Sequence, residues 1–146
     1  MRAFNQGREA AKRVAGPPTD PAAVAAALGV EVVRWPFSGR ILEVVLEGVV
    51  ALQQGLAPAW ERWLIAHALG HHLLHTGAAF HLDGWQWVSR FKAERQAEEF
   101  AAGLFAPPGA WTLSGAAALA RRLRLPEQKV EYALPLWRRE AAGRAR

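Results

Sequence analysis

Arg62-Trp63-Leu64-Ile65-Ala66-His67-Ala68-Leu69-Gly70-His71-His72-Leu73-Leu74-His75 is the stretch on which the fold turns. It lies in a Pro-free segment running from Trp60 that reads as one helix, with Pro58 before it and Thr76-Gly77 as its stop. His67 and His71 are four apart, so on a helix both imidazoles leave the same face about one turn from each other. That spacing lets two rings hold one tetrahedral zinc, the arrangement used by H-E-x-x-H sites. His72 is rotated off this face and reads as a surface or packing residue. His75 continues the stripe but lies two turns beyond His67, too far along the axis to share the ion, and suits a supporting hydrogen bond instead.

A zinc that works on substrates needs a third protein ligand and an open position. The segment Glu94-Arg95-Gln96-Ala97-Glu98-Glu99-Phe100-Ala101-Ala102 offers two candidates. Glu94 and Glu98 share a helical face, Glu99 is turned away, and periodicity alone does not choose between the first two. Between the two helices His81 reads as a loop residue available for a substrate or transition-state contact. Trp85 and Trp87 are candidates for lining a peptide groove, since amphipathic aromatics suit interfaces. Tyr132, the only tyrosine, reads as a packing residue.

Working outward, residues 3–14 form a first helix stopped by Gly16-Pro17-Pro18. Asp20 then caps a second helix that has Pro21 at its first position and Gly29 past its end. Val30–Trp35, Ile41–Leu46 and Val49–Leu52 are β-branched runs that read as strands, the last two joined by a tight turn at Glu47-Gly48. Ile41–Leu46 is the candidate edge strand for holding an extended peptide by strand addition. Ala78 to Trp87 carries no clear period. Helices follow at Val88–Phe105, Ala110–Arg124 and Glu127–Ala141. The expected fold is α+β, a small, mostly antiparallel sheet packed against helices in one domain spanning residues 1–146.

Composition agrees with a soluble globular chain: 51% hydrophobic and 21% charged residues exclude a disordered segment. The absence of cysteine removes disulfides and thiolate metal sites. No apolar run is long enough for a secretory signal or a membrane span, so a cytoplasmic protein without membrane contact is expected. The net charge of +5 is concentrated in the C-terminal third, from Arg121 to Arg146. We read those cations as a solvated helix surface and do not expect direct nucleic-acid binding.

These residues resemble the ImmA/IrrE family of metallopeptidases. The stretch from Arg62 to His75 is similar to the family's R-F-x-x-A-H-E-L-G-H-x-L-L-H, and Glu94-x-x-Ala97-Glu98-x-Phe100-Ala101 to its E-x-x-A-N-x-F-A. Weaker agreement extends from Pro18 to Val30 and from Leu119 to Leu134. The resemblance implies a zincin-like domain with His67, His71 and Glu94 as metal ligands, and places Glu98 at the family's Asn/Asp position, with His75 and Glu98 as candidates for supporting contacts. It implies zinc as the cofactor, with manganese as the other metal such ligands tolerate. It also implies a helix-turn-helix transcriptional repressor as the protein cut, in stress response or mobile-element regulation.

One departure outweighs the agreements. Ala68 stands where the family has the glutamate that acts as general base. A methyl group takes no proton, and general acid–base help is typically worth ~10²–10⁴-fold, so the chain is expected to be catalytically inert. Ala68 is either an engineered inactivation, favoured because every other motif position is intact, or a natural change that leaves a zinc-binding pseudopeptidase acting as an interaction module.

Overall fold

The structure is a computed structural model that describes residues 1–74, 79–82 and 92–144, with 79–82 described for the backbone alone. His75, Trp85 and Trp87 lie outside the described residues. In chain order the elements are α1 (Arg2–Ala11), α2 (Pro21–Ala27), β1 (Glu31–Trp35), β2 (Ile41–Leu46), β3 (Val49–Gln53), α3 (Pro58–Leu74), β4 (Ala79–Leu82), α4 (Lys92–Leu104), α5 (Ala116–Leu123) and α6 (Glu127–Arg144). The architecture is α+β, as the patterning predicts.

Local chemistry accounts for several boundaries. The Asp20 carboxylate accepts a 3.0 Å hydrogen bond from the Ala22 amide, and Pro21 occupies the first turn of α2, where its missing N–H costs nothing. The β2–β3 hairpin pairs Leu46 with Val49 and turns through Gly48 at φ +76°, a conformation that favours glycine. The Ala110–Arg124 segment is broken: Gly109–Leu113 is a 3₁₀ turn, and α5 begins only at Ala116.

The four strands lie in the order β1-β3-β2-β4. β1 runs parallel to β3, whereas β2 is antiparallel to both β3 and β4, so the sheet is mixed but mostly antiparallel. Two expectations are corrected here. Ile41–Leu46 is not an edge: β4 pairs along it, and the edges are β1 and β4. His81 is not in a loop, because Ala79–Leu82 forms β4, with His81 in register with Glu43. Four residues without a β-branched side chain give little local signal. The open hydrogen-bonding edge of β2 supplies the pairing instead.

α3 is the central element, and every residue from Trp63 to His71 is buried. A helix covered on all sides carries a nearly continuous apolar sequence rather than a stripe. The sheet and α2 cover part of it and α4 another part. The α3–α4 approach is close at Gly70, where an added Cβ would lie 3.0 Å from Ala97 Cα and from Phe100 Cβ. α1 packs as tightly on α4: a Cβ on Gly7 would lie 2.0 Å from the Phe100 carbonyl oxygen, and one on Gly103 1.9 Å from that of Phe4. Arg62 ties the helices from the side, donating at 3.0 Å to the carbonyls of Thr19, Leu123 and Arg124. No described helix is long and apolar enough to cross a membrane.

Candidate metal centre

The close passage of α3 against α4 brings Glu94 to the histidines. His67 and His71 lie one turn apart with ring centroids 4.7 Å from each other. His67 Nε2 donates to Glu94 Oε2 at 2.9 Å, and His71 Nε2 lies 2.8 Å from Glu94 Oε1. One carboxylate, from the first turn of α4, thus bridges the two ring nitrogens. All three residues are buried, His67 at 1% exposure.

A fourth residue, unread in the sequence, completes the cluster. Glu43 on β2 is 1% exposed and its Oε1 accepts from His67 Nδ1–H at 2.7 Å. Glu43, His67 and His71 each offer a ligand atom within 4.8 Å of one another. The signal for Glu43 was present: Glu43 and Val45 lie two apart on one strand face, and Val45 is core. A carboxylate inside such an alternation is a buried polar group, which is more informative than any exposed one.

The electrostatics follow from this packing. Burial alone would depress the pKa of His67. The charge and hydrogen bond of Glu43, the hydrogen bond to Glu94 and the charge of Glu98 outweigh burial and hold it well above the ordinary imidazole value. Burial would raise Glu94, yet its contacts with His67 and His71 keep its carboxyl well below the usual range. Two imidazole nitrogens thus meet one carboxylate, at 2.9 and 2.8 Å. Nitrogen and carboxylate oxygen donors in a two-to-one ratio suit zinc, and the pairing of Nε2 with Glu94 and of Nδ1 with Glu43 leaves His67 already turned for it.

Glu98 behaves differently from Glu94. Its Oε2 accepts from Trp63 Nε1–H at 2.8 Å and its Oε1 from Lys129 Nζ at 2.6 Å, so both oxygens are committed away from the histidine pair. Its influence on His67 is through charge alone. His72 is partly exposed, with a buried Nδ1 that finds no partner among the described residues. Tyr132 packs edge-on to Trp63 at 6.5 Å between centroids.

Residues 25–134 match the model of a peptidase family, described as the IrrE N-terminal-like domain. The chain belongs to this family. The match runs from the end of α2 into the first half of α6 and so includes Glu43, both histidines and Glu94. No curated protein sequence matches the chain. Family membership makes this a metallopeptidase-type fold, and the buried cluster of imidazole and carboxylate groups fits metal binding.

Ala68, the residue after the first histidine, is fully buried within the apolar core cluster.

Proposed function

We propose that this chain binds zinc through His67, His71 and Glu94, recognises a helix-turn-helix repressor, and does not cleave it as its sequence stands. The observation that carries the reading is the contrast between the intact bridge of Glu94 to both histidines and the bare methyl of Ala68 beside it. When bound, zinc supplies Lewis acidity, acidifying a water and polarising a peptide carbonyl. The protein's part in hydrolysis is to take and return a proton at the reacting atoms. Among the described residues no carboxylate stands in for the missing one. Glu43 sits on the Nδ1 side of His67, opposite Nε2; Glu94 faces the imidazoles; Glu98 is held by Trp63 and Lys129.

The likeness to repressor-cutting peptidases supports the target class, and the burial of His67 favours one partner over general digestion. The test is restoration. Purified chain with about one zinc, lost in His71→Ala, is mixed with a co-encoded repressor before and after Ala68→Glu. Cleavage only after Ala68→Glu supports a peptidase scaffold lacking its base. Capture of the repressor without cleavage by either form favours a pseudopeptidase that acts by binding. Neither cleavage nor capture removes the repressor as target.

A further inference from the structure

Among the described residues, Glu43 is the buried carboxylate on the far side of His67 from Glu94. Taking a carboxylate out of water costs several kcal/mol unless it is paired. Glu43 is 1% exposed, in the middle of a strand whose neighbours are apolar. Its Oε1 accepts the 2.7 Å bond from His67, while its Oε2 accepts no hydrogen bond among the described residues. Its energetic justification therefore rests on His67. The backbone also aims it: pairing of β2 with β4 skips Leu42 between Ile41 and Glu43, an irregularity of the kind that redirects a side chain beside a site.

An imidazole has two nitrogens on different sides of its ring, and the partner of one decides what the other can do. With Nδ1–H given to Glu43, Nε2 is the His67 nitrogen turned toward Glu94, which His71 Nε2 also meets, and its lone pair is what an ion displacing the Nε2 proton would use. An ion held by Nε2 would have the imidazole ring between it and Glu43, which would put Glu43 behind a ligand rather than among the ligands. We infer that Glu43 is a positioning residue of the metal centre, fixing the tautomer and orientation of His67 through its Nδ1–H. The inference rests on the zinc-site reading above and deepens it.

The test compares wild type, Glu43→Gln, Glu43→Ala and the ligand-loss control His71→Ala. Zinc affinity is measured by competition with a chelator, and the visible spectrum is recorded with cobalt in place of zinc. Wild type should bind one ion, and Glu43→Ala should bind it ~10–100-fold more weakly, the usual effect of removing such a partner. Glu43→Gln should recover most of that loss, because its amide oxygen still accepts from Nδ1–H, and should keep the wild-type cobalt bands because the ligands are unchanged. Glu43→Ala binding within about threefold of wild type overturns the inference, since supporting partners are worth at least ~10-fold. So does a loss as complete as in His71→Ala, which makes Glu43 a ligand. Absence of binding by wild type removes the zinc site itself, a distinguishable failure.

If Glu43→Ala does not fold, nitrogen NMR of zinc-loaded Glu43→Gln decides. A shifted Nδ1–H resonance of His67 supports the inference and an unchanged one overturns it.

Discussion

Glu94 and Glu98 are the same residue on the same face of α4, one turn apart, and each is 8% exposed. Yet they live in different chemistry. Glu98 meets an indole N–H and a lysine. Glu94 meets two imidazoles, whose protons a metal ion can replace. The first carboxylate joins α4 to α3 and α6; the second faces the histidine pair that we propose holds zinc. A buried charge is therefore structural or functional according to whether its partners can be exchanged.

The contrast is sharpest on metal. Glu94→Ala should lower zinc affinity by about 100-fold or more, about 2.7 kcal/mol. It should also cut the stabilisation that zinc at 100 times the wild-type Kd confers from about 2.7 to about 0.4 kcal/mol or less, and the rise in melting temperature with it. Thermal melts with and without zinc check this, and an undiminished rise would break the contrast. Glu98→Ala should do the reverse. It leaves Lys129 and Trp63 Nε1 without their acceptor and costs about 2–3 kcal/mol of folding stability, while the zinc-induced increment survives. Urea melts at both metal conditions read the two effects separately.

Gly70→Ala should touch both carboxylates at once. Its Cβ would press on Ala97 and Phe100 at 3.0 Å, moving α4 outward for about 1–2 kcal/mol. Since Glu94 rides on α4, zinc affinity should fall with stability. A stable variant with full affinity would show that the spacing is slack. The smallest effect belongs to the double change Glu98→Gln with Lys129→Met. Removing both charges avoids an orphaned ion, so stability should stay within about 1 kcal/mol of wild type. Zinc binding should remain intact, as a chelator competition would show.

The readable parts of this protein were those whose geometry is local. Asp20-Pro21 announces a helix start, Glu47-Gly48 a hairpin, and His67 with His71 a shared face, because each depends on backbone periods of a few residues. β4 was missed because Ala79–Leu82 owes its strand to the edge of β2, not to its own residues. The same pairing removed Ile41–Leu46 from the edge of the sheet. Glu43 left a legible trace, a charge in an apolar alternation, but the trace does not say what it faces.

The sequence by itself determined the α+β class, the paired histidines and the methyl of Ala68 beside the first of them, since these need only composition, helical period and residue identity. The tertiary structure decided which α4 carboxylate faces the imidazoles, that the other is held by Lys129, and that a glutamate from β2 stands behind His67. The physical reason is that a period fixes the angle of a side chain about its own axis. What that side chain meets depends on how closely separate elements pack, and here on the bare Cα of Gly70 that lets α3 lie against α4.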